Sequence, residues 1–427
     1  MVHSSNLNDI YKPKPACKTR GHHTSGVVFS CENPAIPYRN LGGPWEEPEL
    51  DQRSRDHHYV PIWYQKGFLD EGKTTFKILN LHPEEFRDET GKVRGMANPI
   101  LDRGPKAWFF EPDLYTIRML GRRDDVIERM LFGEIDRKGK IAIDALLAED
   151  YDQMHFTYYD AFEFLDALRL RTPKGLRFVR RISKADSQQD LMIRMQQMRR
   201  MHCLMWMEGS REIFSAESSS VKFLFSDHPV TYFNRHVSPG DPVIPKGFDP
   251  PLEWKGTQTL YPCDKNRLLV LTHNEWGRAK VSSRMFARLP RTNARYFDNT
   301  LVSYHDIERT RSLSEQEVLE VNHIIKSRAE RYIAGRSVDD LFPEKHLKTT
   351  GWNKLANCLM PLGYNCAPHV GFSAFGMTNG SYIFQDEFGR KPRNRAEWES
   401  AKARAEEMRA HVHGLLAKGK RVEDPSE

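Results

Sequence analysis

The rhythm of apolar and polar positions changes several times along the chain. Up to about residue 55 no period is sustained and Pro, Gly, Ser, Asn and charged residues dominate, which predicts an irregular N-terminal arm. HHYVPIWYQKGF from His57, TTFKILNL from Thr74 and WFFEPDLYTI from Trp108 then carry the aromatic, β-rich character of short extended segments. From about Arg122 to Gly209 the spacing becomes helical. Val126, Ile127, Met130 and Leu131 gather on one side of a first helix, and Glu134 falls in the middle of that apolar stripe at about 100° per residue. Two more helices follow. One runs from Tyr151 to Leu170 and is stopped by Pro173; the other runs from Ser187 to Met207, opened by an S-x-x-D cap through Ser187 and Asp190. Met195, Met198, Met201 and Met205 recur at helical spacing in the latter and read as a core face filled by adaptable side chains.

After Ser210 the pattern is again β-like. VKFLF alternates, LLVLT is a short run of the buried type, and a Pro/Gly-rich loop from Ser238 to Gly256 lies between them, long enough for a lid or an insertion. A late helix starts at Ser314, where Ser314 and Glu317 form an S-x-x-E cap. Val318, Val321, Ile325, Ala329 and Tyr332 share one face of it, and Asn322 lies inside the same arc. The expected architecture is α+β, with β segments at both ends of a central helical region. It comprises an irregular arm over 1–55, a main domain over 56–336 and a C-terminal extension over 337–427 with a terminal helix.

Composition adds bounds rather than detail. A chain of 427 residues that is 39% hydrophobic can bury a large core. No stretch approaches the roughly 20 apolar residues a bilayer span needs, and the N-terminus lacks an apolar signal region, so no membrane partner is expected and the location is read as cytoplasmic. The six cysteines are scattered and read as free thiols of a reducing compartment. A net charge of +6 is modest for this length and does not by itself imply a nucleic-acid partner. The distribution is more telling. Arg169, Arg171, Lys174, Arg177, Arg180 and Arg181 follow one another with no intervening acidic residue, a cluster that could bind phosphate or could be a solvated helical face. Motifs of P-loop, dinucleotide-binding, serine-hydrolase and zincin enzymes are absent, which removes those classes only.

HHYVP (His57 to Pro61), FSDHPV (Phe225 to Val230) and VNHIIKSRAERYI (Val321 to Ile333) occur in this order. RRDDVIERMLFGEID and FEFLDALRLRTP lie between the first two. In these segments the chain resembles the domain-of-unknown-function family 4238 over roughly Asp56 to Arg336. The resemblance implies a shared fold and a shared set of polar positions, not a reaction.

Those positions admit two readings. In the first, Glu134, Asp227 and Asn322 hold a divalent metal (Mg, Mn or Zn), and His58 and Asp227 are the catalytic groups. The basic cluster would then bind phosphate, making the chain a metal-dependent hydrolase of nucleic acid or another phosphorylated substrate. In the second, the same residues are a buried structural network in a non-catalytic binding or interaction protein.

Overall fold

The computed structural model describes residues 56–119, 122–124, 131–207, 209–245, 248–278, 287–291, 307–347 and 351–362, together with short pieces between 372 and 410. The expected arm over 1–55 and the cluster from Val126 to Met130 lie outside the described residues.

Two four-stranded antiparallel sheets and a set of central helices make up the fold. The first sheet contains β2 (Phe76–Asn80), β3 (Ile100–Arg103), β6 (Phe225–Ser226) and β10 (Tyr332–Gly335), in the order β6-β10-β2-β3. The second contains β5 (Gly209–Ser215), β7 (Thr231–Asn234), β8 (Thr257–Pro262) and β9 (Arg267–His273), in the order β7-β8-β9-β5. A separate pair joins β1 (Asp56–His58) to β4 (Phe110–Pro112). The chain passes from the edge of the first sheet to the edge of the second between β6 and β7. That crossover is the short segment Asp227–His228–Pro229–Val230, all of it buried.

Helix α1 (Ile62–Lys66) follows β1. The central helices are α2 (Gly133–Ala148), α3 (Tyr151–Arg171), α4 (Pro173–Ser183), α5 (Gln188–Met198) and α6 (Met201–Met207). Helix α3 ends where the sequence predicts, because Thr172 is extended and Pro173 opens α4. The helix expected from Ser187 to Met207 is two helices. Arg200 takes a left-handed conformation with φ 70°, and the Asp166 carboxylate accepts its N–H. Glu163 pairs with both Arg199 and Arg200, so contacts with α3 set the break. Of the four methionines expected on a core face, Met195 is buried, Met198 and Met205 are partly buried against the core, and Met201 is half-exposed.

Helix α7 (Glu315–Arg328) carries the full capping box through Ser314 and Glu317. It is shorter than the periodicity implies: Ala329 is its cap, and Tyr332 already belongs to β10. Beyond it, α8 (Trp352–Cys358) places Leu355, Ala356 and Leu359 in the main core. Around the β1 end, Tyr64, Phe68, Phe76 and Phe109 surround Phe225 with ring centroids 4.6–5.8 Å away. The observed class is α+β, and among the described residues no helix is long and apolar enough to cross a membrane.

Candidate functional site

The segments that carry the sequence motifs meet around the crossover between the sheets. Tyr59, from HHYVP, is buried; its N–H donates to the Phe109 carbonyl at 3.1 Å, and its own carbonyl accepts from Arg171 Nε at 3.1 Å. Phe109 is held at φ 59°, a conformation costly for a buried aromatic residue and one that the contacts around it must impose. The turn between α3 and α4 is equally constrained. Thr172 Oγ accepts the N–H of Gly175 at 3.1 Å, and a Cβ on Gly175 would lie only 2.1 Å from the Arg169 carbonyl oxygen.

Asp227 works as a connector. Its Oδ1 accepts the N–H of Glu330 at 2.9 Å, and its Oδ2 accepts those of Arg331 at 2.6 Å and Tyr332 at 2.9 Å. One carboxylate thus binds the backbone leading from α7 into β10, and its own N–H donates to the Tyr332 carbonyl at 2.9 Å. Burial pushes the Asp227 carboxyl up to about 7, against the backbone donors and Lys174, which favour the charged form.

His228 points into a cluster of buried charge. Arg169 Nη1 lies 2.8 Å from His228 Nε2. A guanidinium can only donate, so Nε2 accepts and the ring proton sits on Nδ1, donated to Thr172 Oγ at 2.7 Å. Burial and the adjacent Arg169 push the His228 pKa down to about 3, so the ring is neutral. Arg169 lies 3.5 Å above the Tyr232 ring and gives its Nη2 to Asp249 Oδ2 at 2.7 Å. The other Asp249 oxygen accepts from Lys174 Nζ at 2.8 Å. Desolvation opposes the Asp249 charge, but Lys174 and Arg169 outweigh it and hold the carboxyl well below its usual range. Arg328, at the end of α7, closes the cluster by donating Nη1 to the Phe248 carbonyl at 2.8 Å, and its own carbonyl accepts from Lys174 Nζ at 2.5 Å.

The expected four-residue centre does not assemble. Glu134 lies in the first turn of α2 with its side chain 47% exposed, paired with Arg137 and Lys138. The helix described from Gly133 buries Ile135, Gly139, Ala142 and Ile143, and Glu134 lies off that buried face. Asn322 is buried as expected, but both ends of its amide serve the backbone: Oδ1 accepts the Leu224 N–H at 3.0 Å and Nδ2 donates to the Lys222 carbonyl at 2.8 Å. His58 is half-buried beside Phe110, with Nε2 3.3 Å from the Lys106 carbonyl; its pKa is lowered, mainly by burial. The residue of HHYVP whose environment includes Asp227 is Tyr59. Among the described residues no group of three or more His, Cys, Asp and Glu side chains is arranged to hold a metal ion.

The basic cluster divides in two. Arg169, Arg171 and Lys174 turn inward, with Arg171 paired to Asp136 at 2.8 Å. Arg177, Arg180 and Arg181 are exposed; Arg177 pairs with Glu330, and Arg181 lies 4.5 Å over the Phe248 ring. The six residues are therefore not one phosphate-binding face: Arg169 and Arg171 end α3 and Lys174 opens α4 against the core, whereas Arg177, Arg180 and Arg181 lie farther along α4 where it is exposed. Sequence reasoning missed Tyr59, Thr172, Asp249 and Arg328. Asp249 sits in a loop without periodicity. Thr172 could have been found, as the Ser/Thr before a Pro that opens a helix.

Fold and site together define an α+β protein whose motif segments converge on a buried, largely self-satisfied polar network. A family model described as a protein of unknown function (DUF4238) matches residues 56–339, and the chain belongs to this family. No curated protein and no solved structure matches the chain.

Proposed function

We propose that the chain is a non-catalytic binding protein in which the motif residues frame a ligand site and do not carry out hydrolysis. The observation that carries this reading is the engagement of Asp227. A carboxylate offers roughly four lone-pair positions, and three backbone N–H groups already use this one, leaving little for a metal or a proton relay. Asn322 is committed in the same way, and Glu134 is exposed and paired with Arg137 and Lys138. The proposed ligand is nucleic acid or another phosphorylated molecule, since three cations, Arg169, Lys174 and Arg328, gather at the motif junction. Free thiols at Cys203, Cys263 and Cys358 fit a reducing, cytoplasmic setting.

The test is calorimetric titration of Mg²⁺, Mn²⁺ and Zn²⁺ into the wild-type chain and Asp227→Asn, with bis-(p-nitrophenyl) phosphate turnover followed in parallel. Neither stoichiometric metal binding nor turnover is expected. A metal site lost in a folded Asp227→Asn chain, together with metal-dependent turnover, would establish the hydrolase reading instead.

A further inference from the structure

We infer that Asp249 is a built-in stand-in for an anionic ligand. Arg169, Lys174 and Arg328 then form an oxyanion site that takes a phosphate-class group when Asp249 and the backbone around it move aside. The inference rests on the binding reading above and names the chemistry of its ligand.

The three cations stand on the framework: Arg169 near the end of α3, Lys174 in the first turn of α4 and Arg328 at the end of α7. Asp249 comes from a segment with neither helix nor strand, anchored farther on by Leu252 in the core and by the Arg291 N–H on the Glu253 carbonyl. Its carboxylate makes the contacts a bound oxyanion would make. One oxygen is 2.8 Å from Lys174 Nζ and the other is 2.7 Å from Arg169 Nη2. The pocket also lies at the N-terminal end of α4, where the helix dipole favours negative charge.

Three cations gather around Asp249, with Asp227 one layer away and Asp241 acting on Arg328, so Asp249 is the one carboxylate that Arg169 and Lys174 share. Arg328 is 6% exposed and is the least satisfied of the three in its hydrogen bonding. Its Nη atoms reach only the neutral carbonyls of Phe248 and Val237, and its Nε has no hydrogen-bond partner among the described residues. Burying a guanidinium against carbonyls alone is poor compensation. A phosphate, with up to two charges and more acceptor oxygens than a carboxylate, would satisfy the cluster better than Asp249 does.

The test compares thermal unfolding of Asp249→Ala and of the wild-type chain in phosphate and in chloride at equal ionic strength. Phosphate is expected to raise the midpoint of Asp249→Ala by several degrees and that of the wild-type chain by much less, with the gain lost in Asp249→Ala/Lys174→Met. An equal response of Asp249→Ala to both salts would overturn the proposal. Should Asp249→Ala not fold, cleavage of the wild-type chain between 248 and 254 by a limiting protease decides: acceleration by pyrophosphate is expected, and an unchanged rate overturns the proposal. The same preparations are assayed with Mn²⁺ and bis-(p-nitrophenyl) phosphate. Turnover there would sink the binding reading alone, whereas absence of both turnover and anion response would sink only the stand-in role of Asp249.

Discussion

His228 shows how a titratable residue is kept neutral by its neighbours. Its folded pKa of about 3 lies below the ordinary 6.5, so the unfolded chain takes up a proton first as pH falls. The stabilisation is complete above about pH 6.5 and is lost as pH drops toward 3, at roughly 1.4 kcal/mol per pH unit. Asp227 has the opposite sign, because its raised carboxyl pKa of about 7 makes the folded chain the better proton acceptor between 3.8 and 7. Wild-type stability is therefore the sum of two opposed slopes, and the difference between His228→Gln and wild type isolates the histidine. Urea unfolding between pH 4 and 6.5 should show the variant losing less stability on acidification by about that slope; parallel curves would mean the ring is already charged. At this scale the sequence was legible in part. Asn322 was recognisable as an inward polar group and Asp227 as part of the FSDHPV motif, while Glu134, expected inward, is exposed; the backbone partners of Asn322 and Asp227 lie about 100 residues away and leave no trace in local spacing.

Among the elements, local signals performed best where the cause was local. Ser314 with Glu317, Ser187 with Asp190 and Pro173 mark helix boundaries because the capping atoms belong to the same turn. The break at Arg199–Arg200 and the orientation of α2 depend on packing between helices, which periodicity does not contain. Gly175 gives the strongest prediction. A methyl group there would meet the carbonyls of Arg169 and Leu170 at 2.1 and 2.6 Å, both backbone atoms with no freedom to give way. Gly175→Ala should separate α3 from α4 and lower the unfolding free energy by more than Ser314→Ala, for which about 1 kcal/mol is expected from loss of the cap. Equal effects in denaturant titrations would mean that the α3–α4 turn relaxes freely.

On the scale of the whole molecule, the family match ends at residue 339 but the core does not. Leu355 and Leu359 are fully buried, Gln258 Nε2 donates to the Leu359 carbonyl at 2.9 Å, and Arg311 donates to that of Met360 at 2.8 Å. A chain ended at Leu347 should lose roughly 3–6 kcal/mol from the two leucines alone and melt at lower temperature. An unchanged midpoint would show that α8 is dispensable. The α+β class and the order of strand-rich and helical regions could be read from the sequence. Two sheets joined through the SDHP segment could not, since strand order is set by pairings far apart in the chain.

The central claim is that Asp227 is a structural connector between the α7–β10 turn and the sheet crossover. Amide hydrogen exchange of peptides spanning 328–333 tests it most directly, in wild type, Asp227→Ala and Glu134→Ala, with and without Mn²⁺. Slow exchange in wild type and Glu134→Ala, a large acceleration confined to this turn in Asp227→Ala, and no response to Mn²⁺ are predicted. Protection unaffected by loss of the carboxylate, or strengthened by Mn²⁺ in wild type, would contradict the account.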